Sequence, residues 1–354
     1  MHNRWRMTLV VICLVAGLRA APPATAAQAH GPDLAGIDPA SNPGDDFYAY
    51  ANGSWMKTVI IPEDRSSYGT GAMVAERTEK RTAKLIQGLT ARRDPKGSEA
   101  RKIADYYTSF MDEATIEALG LSPLKPTLDS IAALQDRKGL ARMLGSTLRA
   151  DVDALNSTNF YTDNILGLWI AQDLDQPSRY SPFLLQGGLG MPDRDYYLDP
   201  SPRMAAFRTE YQAHIVRVLG LSGTPDAETK AARIFALELR IAQTHASREA
   251  SSEVTQGNNH WTRQDFASRA PGLDWPSYFA ASGLGSREDF VVWHPSAITG
   301  ISALAASEPL ETWKDYLVFH ALDHHAPYLS KAFVEEHFAF HGKVLSGTPQ
   351  MPTR

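Results

Sequence analysis

Apolar residues recur at helical spacing along most of the chain, and polar residues occupy the positions between them. This spacing places the apolar side chains of each run on one face of a helix. The predicted helices cover residues 45–55, 73–89, 103–120, 126–149, 203–219, 227–246, 296–306, 309–324 and 328–345. So many helices in one chain predict a mainly α fold, built as one large multi-helix domain.

Two short runs differ from the helical pattern and predict strands, at residues 166–170 and 290–293. The glycine-rich residues 187–192 predict a tight turn that uses positive φ angles, and the polar residues 251–262 predict a loop. No repeat of 20 to 50 residues is visible in the sequence. A few short strands are therefore added to the mainly α fold.

The first 26 residues have the pattern of a secretory signal peptide. Arg4 and Arg6 precede a mostly apolar run, and residues 24–26 read Ala-Thr-Ala, which suits signal peptidase. The apolar run is shorter than the ~20 residues that span a membrane, so an uncleaved anchor is the weaker alternative. We expect an exported chain, periplasmic or extracellular, with no stable membrane insertion after cleavage.

Composition shifts again after the predicted signal peptide. Residues 27–43 are rich in Ala, Pro, Gly and Asp and predict an extended lead-in, which leaves residues 44–354 as the folded domain. The single cysteine, Cys13, lies inside the signal peptide. Disulfides, thiol catalysis and cysteine zinc ligands are therefore excluded for the mature chain.

The chain is acidic, with 35 basic and 40 acidic residues and a net charge of −5. Cleavage at residue 26 would remove three arginines and no acidic residue, which changes the net charge to −8. No basic stripe with interleaved aromatic residues is present. We therefore expect no nucleic-acid partner and no binding to anionic membrane surfaces.

One histidine pair has the spacing of metal ligands on a helix. His337 and His341 are four residues apart and can share one helix face. The zinc peptidase motif His-Glu-x-x-His needs a glutamate directly after the first histidine, and Phe338 stands there. This pair therefore cannot support zinc-dependent peptide hydrolysis, and packing on an amphipathic helix is the favoured interpretation.

A second pair, His320 and His324, flanks Asp323 in a pattern close to the inverted zinc motif His-x-x-Glu-His. Aspartate is one methylene shorter than glutamate, so its carboxylate would not reach the position of the base. For both pairs, His320 with His324 and His337 with His341, the favoured interpretation is a place on the surface of an amphipathic helix with partly exposed imidazoles. A small zinc enzyme built on these histidines stays an open alternative. We expect no metal and no cofactor to be bound by this chain.

Other candidate patterns are weaker still. Gly69 and Gly71 precede a helix but lack the third glycine of a dinucleotide-binding loop. Asp193 and Asp195 flank Arg194 and are expected to form a salt-bridge cluster at a turn, with the neighbouring tyrosines packed in the interior. No serine lies in a Gly-x-Ser-x-Gly setting. The residues alone thus predict a domain without a complete set of catalytic residues.

The order of several longer motifs resembles the amino-terminal region of the neprilysin and endothelin-converting-enzyme family of zinc metallopeptidases. The motifs are Asp45-Asp46-Phe47-Tyr48-Ala49-Tyr50-Ala51-Asn52-Gly53-Ser54-Trp55, Ile61-Pro62, Ser67-Tyr68-Gly69, Tyr107-x-Ser109-x-Met111-Asp112, Gln186-Gly187-Gly188-Leu189-Gly190-Met191-Pro192-Asp193-Arg194-Asp195-Tyr196-Tyr197-Leu198, Leu273-Asp274-Trp275 and Phe338-x-Phe340 followed by Leu345-Ser346-Gly347. The resemblance covers about residues 34 to 350. It implies the mostly helical lid half of a two-domain metallopeptidase, which encloses peptides and small unfolded chains.

The departures from the family pattern are informative. Animal members carry cysteines where this chain has Ala51 and Phe110, so the sequence is similar to the bacterial branch. In some members an arginine before Tyr-Gly holds the terminal carboxylate of the substrate. Ser67 occupies that place here, with Arg65 two residues earlier. The resemblance implies Arg65, Ser67 and Tyr68 as candidate substrate-binding residues.

The resemblance also implies where the chemistry lies. Family members continue for roughly another 300 residues, which hold the zinc-binding His-Glu-x-x-His helix and a downstream glutamate ligand. The present sequence has neither motif, so we expect a chain that stops before the catalytic half and is inactive alone, with zinc bound by the absent segment. The alternative is a stand-alone module that binds peptides or regulates a relative without cleaving.

Overall fold

The computed structural model describes residue 31, residues 34–148, residue 162 and residues 164–352. The predicted signal peptide at 1–26 lies outside the described residues, as does part of the predicted lead-in at 27–43. Contacts divide the chain into two units, Met1–Ile60 and Ile61–Arg354. Within the part of the chain that is described, no helix has the length and apolar character needed to cross a membrane.

The first unit contains a short 3-10 helix and one α-helix, Leu34–Gly36 and α1 (Phe47–Thr58). The Lys57 ammonium donates to the Asp38 carboxylate at 2.7 Å, and the Ser54 hydroxyl donates to the Ile37 carbonyl at 2.7 Å. These two hydrogen bonds hold the segment before α1 against the helix. No residue of α1 is buried, so its aromatic residues remain at least partly exposed.

Among its described residues, the second unit holds the remaining α-helices, four strands, two 3-10 helices (Ser122–Leu124 and Ala326–Tyr328) and a π-helix. They are α2 (Thr70–Thr90), α3 (Glu99–Met111), α4 (Glu113–Leu119), α5 (Lys125–Ala132), α6 (Arg137–Ser146), β1 (Leu166–Gln172), β2 (Tyr180–Gln186), α7 (Asp195–Leu198), α8 (Pro202–Leu221), α9 (Ala227–Thr244), α10 (Arg248–Ser252), α11 (Val254–Gly257), β3 (His260–Thr262), α12 (Arg263–Arg269), α13 (Trp275–Ala281), β4 (Asp289–Val292), α14 (Pro295–Ser307), α15 (Leu310–His325), α16 (Lys331–His337) and the π-helix Phe338–Leu345. The prediction of a mainly α fold with a few short strands is confirmed.

Two predicted helices are each divided in two, and an aspartate begins the second half in both cases. The predicted helix 103–120 breaks at Asp112, whose carboxylate accepts a hydrogen bond from the Thr115 backbone N–H at 3.1 Å. The predicted helix 126–149 breaks before Asp136, which accepts from the Gly139 N–H. An aspartate that caps the next helix satisfies backbone donors that a continuous helix would use, so a break costs little.

The four strands form one sheet in the order β1-β2-β4-β3. The two predicted strands are confirmed as β1 and β4. β1 and β2 pair as an antiparallel hairpin, whereas β2 and β4 pair in parallel. β2 was not predicted, since Pro182 lies within it and proline argues against a central strand. Pairing with β4 begins only at Phe183, so the missing N–H of Pro182 leaves no gap on that side.

The main hydrophobic core is formed by α5, α6, α8, α9 and the later helices, together with inward residues of the sheet such as Leu184. Tyr211, Trp313 and Phe319 are among its largest fully buried side chains. The last helices bury their own apolar faces within this core, as Phe333 and Phe340 show. These two side chains of the carboxy-terminal helices are therefore covered by the described residues themselves.

The helices α2 and α3 are different, because they bury almost nothing. No residue of the 21-residue α2 is buried, and Ala104 is the single buried residue of α3. Val74 and Leu85 on α2 are 57% and 68% exposed, and Tyr106 on α3 is 80% exposed. We call Met73, Val74, Leu85, Ile103 and Tyr106 the α2–α3 apolar face.

Candidate functional site

The glycine-rich loop at residues 187–192 forms the predicted tight turn. Gly188 has a φ of +84°, which confirms the expected positive angle. Gly190 is needed for a second reason, because a Cβ there would lie 1.9 Å from the Tyr211 hydroxyl. The Met191 N–H donates to the Tyr197 hydroxyl at 3.1 Å, so the loop is tied to the interior.

The acidic cluster after this loop has a structural role, as predicted. The Arg248 guanidinium donates to the Asp193 carboxylate at 2.6 Å. The Arg194 guanidinium donates to the His245 carbonyl at 2.7 Å, and Asp193 also accepts from the Asp195 N–H. These bonds join the loop to the start of α10, and the two carboxylates face no common reaction site.

A fully buried carboxylate, Glu238 on α9, lies behind this loop. It accepts hydrogen bonds from the Tyr197 hydroxyl at 2.6 Å, the Tyr211 hydroxyl at 3.0 Å and the His320 Nε2 at 2.7 Å. Burial, followed by the negative charge of Glu238, raises the pKa of both tyrosines well above the ordinary value. Both hydroxyls therefore remain neutral donors, and Glu238 connects α7, α8 and α15 to α9.

A cavity of about 910 Å³ lies in the second unit, beside α5, α6 and α15. Apolar side chains such as Ile131 and Leu144 form much of its lining. His320, His324 and His325 of α15 supply imidazoles to the same wall. An apolar cavity with a few polar groups is the usual form of a site that binds side chains of a ligand.

The residues of the inverted zinc motif on α15 do not converge on one point. The His320 Nε2 contacts Glu238, whereas the Asp323 carboxylate contacts His214 at 2.9 Å and His341 at 3.0 Å. The alternative of a zinc enzyme built on this motif therefore finds no support in the geometry. His320 is also largely buried, which corrects the expectation that it lies on a helix surface.

Asp323 instead belongs to a buried charged cluster around His214 on α8. The two ring nitrogens of His214 contact Glu336 at 2.8 Å and Asp323 at 2.9 Å. Burial alone would lower the pKa of His214, but the hydrogen bonds to both carboxylates raise it above 6.5. The Arg217 guanidinium donates to the second oxygen of Glu336 at 2.8 Å, and His341 donates to Asp323.

Sequence reasoning missed His214, and it placed His341 on a helix surface. His214 lies in the middle of a predicted amphipathic helix, 109 residues before Asp323, so no local spacing connects the two. His341 lies in the π-helix, and a quarter of its side chain is exposed. Its ring stacks on that of His337 with centroids 4.3 Å apart, so the predicted shared face of this pair is real.

Residues 43–354 match the sequence model of the amino-terminal region of peptidase family M13. The chain belongs to peptidase family M13. The resemblance to neprilysin and endothelin-converting enzymes is thereby confirmed, together with the amino-terminal location of the match.

Curated relatives of the M13 chain include mouse endothelin-converting enzyme-like 1, 27% identical over 311 residues, which cover 85% of this chain and 39% of the relative. Neprilysin-3 of Drosophila melanogaster is 26% identical over 315 residues, with 85% of this chain and 40% of the relative covered. The chain thus spans about two fifths of the length of the curated relatives it matches.

Solved structures of M13-like peptidases also match most of this chain, and the match again covers about half of each of those chains. The inhibitor complex of the Mycobacterium tuberculosis zinc metalloprotease Zmp1 matches with a TM-score of 0.81 and 29% identity, over 91% of this chain and 48% of that chain. PepO of Lactobacillus rhamnosis shares the fold with a TM-score of 0.67 and 18% identity, over 88% and 48% of the two chains. The helical fold described above is therefore that of M13 peptidases.

The candidate substrate-binding residues of this M13 chain make local contacts. The Tyr68 hydroxyl donates to the Glu76 carboxylate at 3.0 Å, and the Arg65 guanidinium lies 3.7 Å from Glu79. Ser67 is exposed. None of these candidates is among the described residues that line the 910 Å³ cavity. Their role in substrate binding stays a prediction.

Two buried histidines near the glycine-rich loop make the stability of the M13 chain dependent on pH. Burial and the nearby positive charge of His294 lower the pKa of His245 to about 3, and burial lowers the pKa of His294 to about 4. In the unfolded chain both titrate near 6.5. At pH values between the folded and the unfolded pKa of these histidines, the unfolded chain binds more protons than the folded chain. We therefore expect the free energy of unfolding to fall as pH drops below about 6.5.

The measurement is urea unfolding at several pH values from 7.5 to about 4. His245→Gln places an amide donor near the position of Nε2, which contacts the Gly187 carbonyl, but does not titrate, so it should reduce the pH slope. His325→Asn serves as the control, because the His325 Nδ1–H donates to the Ala321 carbonyl of its own helix. Equal slopes in all three proteins would contradict the assignment to His245.

Proposed function

We propose that this chain is the substrate-enclosing, non-catalytic region of an exported M13 zinc endopeptidase that acts on peptides. In this proposal a separate catalytic region of the same enzyme binds the zinc ion. The 354 residues contain no His-Glu-x-x-His, so they do not fit the catalytic zinc of the family. The chain contributes shielding and substrate contacts, since an enclosed space admits peptides and excludes folded proteins by size.

The observation that carries this proposal is the α2–α3 apolar face. Two helices that bury almost no residue gain little stability from packing, although most helix stability in proteins comes from packing of an apolar face. An exposed apolar surface of this kind is typical of a protein interface. We infer that the zinc-bearing catalytic region covers it, because M13 relatives are more than twice as long as the matched part.

The test uses a fusion in which the full chain replaces the matching 48% of the tuberculosis protease Zmp1. We expect the fusion to cleave a short quenched peptide in a chelator-sensitive way and to spare a folded protein that contains the same peptide. The full chain alone should cleave neither. Cleavage by the full chain alone, with one equivalent of zinc, would contradict the proposal.

Leu85→Gln in the fusion tests the α2–α3 apolar face directly. Leu85 is 68% exposed, so the substitution should change the free energy of unfolding of the chain alone by less than about 0.5 kcal/mol. In the fusion it should reduce peptidase activity or lower the melting temperature, because an apolar contact is lost. Lys84→Gln is the matched control, since Lys84 is exposed and adjacent on the same helix.

The second candidate function is a stand-alone module that binds peptides without cleaving them. The burial of Phe333 and Phe340 in the last helices and the 910 Å³ cavity favour it. Fluorescence anisotropy of labelled decapeptides with the full chain distinguishes the candidates. Saturable binding that is lost in Thr127→Arg, at an exposed residue of the cavity wall, would favour the module, whereas absence of binding by a folded monomer would remove it.

A further inference from the structure

We propose that His214, Asp323 and His341 form a zinc-binding site within the helical domain. Each residue offers one ligand atom, and the three atoms lie within 4.8 Å of one another. The residues come from three separate elements, namely α8, α15 and the π-helix. They are not part of a His-Glu-x-x-His motif, and the inference does not depend on the proposed peptidase function.

The distances suit a single small cation. His214 Nε2 lies 2.9 Å from one Asp323 oxygen, and His341 Nε2 lies 3.0 Å from the other. Zinc bonds of about 2.0–2.2 Å in a tetrahedral arrangement place ligand atoms roughly 3.3–3.5 Å apart. The two histidines contact different Asp323 oxygens, and the three ligand atoms lie within 4.8 Å of one another. Pairs near 3 Å would have to separate by a few tenths of an ångström, whereas pairs nearer 4.8 Å would have to approach each other to surround the ion.

The donor set is one that zinc uses. Two imidazole nitrogens and one carboxylate oxygen leave a fourth position for water. The rings of His214 and His341 are nearly perpendicular, at 89°, with centroids 5.4 Å apart. A quarter of the His341 side chain is exposed, which provides a route for the ion and for the water.

An outer layer of contacts fixes the orientation of the buried ligand. The Nδ1–H of His214 donates to Glu336 at 2.8 Å, and Arg217 holds the other Glu336 oxygen at 2.8 Å. A histidine that donates one ring N–H to a carboxylate presents its other nitrogen to a metal, and this pairing is typical of zinc sites. Phe340 stacks on the His214 ring at 4.7 Å and restricts its rotation.

The local backbone also supports a binding role. Residues 338–345 form a π-helix, which is rare and occurs most often at functional sites. Without a metal, His214 Nε2 and His341 Nε2 each hold a proton that is donated to Asp323. Zinc takes the place of both protons, which leave to solvent, and connects the carboxy-terminal π-helix to α8 and α15.

The experiment titrates the full, metal-stripped chain with zinc chloride against a chromophoric chelator. We expect one tight equivalent per chain and a rise in the melting temperature on addition of zinc. His341→Ala and Asp323→Asn should each weaken zinc binding at least about 100-fold. Glu336→Gln, which acts through His214, should weaken it by about 10–100-fold.

Two controls distinguish this site from other histidine pairs. His325→Ala removes a histidine outside the cluster and should leave the affinity unchanged. His337→Ala removes the partner of His341 on the helix surface and should also leave it unchanged. If His337→Ala abolishes binding while Asp323→Asn does not, the zinc is held by the surface pair and the proposal is wrong.

Each variant is first checked for folding by circular dichroism without metal. His341 is the most exposed of the three ligands, so His341→Ala keeps the test valid even if Asp323→Asn does not fold. Cobalt titration gives an independent readout, since tetrahedral cobalt absorbs strongly in the visible range. Weak, non-stoichiometric zinc binding by the unmodified chain would overturn the proposal.

Discussion

Glu238→Ala is expected to lower the free energy of unfolding by about 3–5 kcal/mol, the usual loss when one partner of a buried charged cluster is removed. The side chain is fully buried and accepts hydrogen bonds from Tyr197, Tyr211 and His320. With alanine at this position, the three donors would be buried away from water and would lack this acceptor. The smaller side chain would also leave a cavity. Urea unfolding followed by circular dichroism measures the change.

Two further variants show whether the hydrogen bonds cause this loss. Glu210→Ala, at an exposed position of α8, should change the free energy of unfolding by less than about 0.5 kcal/mol. Tyr197→Phe removes one donor, so its effect should be smaller in a Glu238→Ala background than in the original chain. Strictly additive effects of these two substitutions would show that Glu238 and Tyr197 are not coupled.

Gly190→Ala is expected to destabilise the chain by about 3 kcal/mol, at the upper end of the range for overpacked cores. A Cβ at this position would lie 1.9 Å from the Tyr211 hydroxyl oxygen and 2.7 Å from the ring carbon that carries it. Tyr211 is fully buried and its hydroxyl is bound to Glu238, so the ring cannot move away without breaking that bond. The melting temperature and urea midpoint measure the effect.

The matched control for Gly190→Ala is Gly220→Ala. Gly220 lies on the same helix as Tyr211, and a Cβ there would meet no atom within 4 Å. This control should be neutral or stabilise by up to about 1 kcal/mol, because alanine is less flexible than glycine in the unfolded chain. A combined Gly190→Ala and Tyr211→Phe variant should lose less than the sum of the two single changes. Equal destabilisation by both glycine variants would exclude the steric explanation.

Most helices could be predicted from the sequence because the apolar periodicity of each is a local property. The short helices α7 and α10 to α13 were not predicted, because four to seven residues are too few for a helical periodicity to show. The other exceptions also have identifiable causes. Asp112 and Asp136 each begin a new helix where periodicity suggested one continuous helix, since a capping side chain competes with the next helical turn. β2 was not predicted, and its residue Pro182 argues against a strand. The sheet tolerates this proline because the pairing of β2 with β4 begins only at Phe183.

The candidate sites were predicted less completely, for the same kind of reason. Histidine spacing showed that His337 and His341 share a face, and their rings do stack. It could not show that His341 contacts Asp323, or that His320 donates to Glu238 across 82 residues of sequence. These partners lie on other helices, and no local pattern encodes the packing of one helix on another.

The sequence by itself determined the family, the mainly α fold and the structural role of the glycine-rich loop. Those properties depend on motifs and periodicities that are read within short segments. The tertiary structure alone decided which charged residues are buried together, as His214 and Asp323 show. It also showed that, within the described residues, α2 and α3 bury almost nothing, whereas Phe333 and Phe340 of the last helices are buried. Burial depends on which helix faces meet, and that is fixed only when the whole domain is packed.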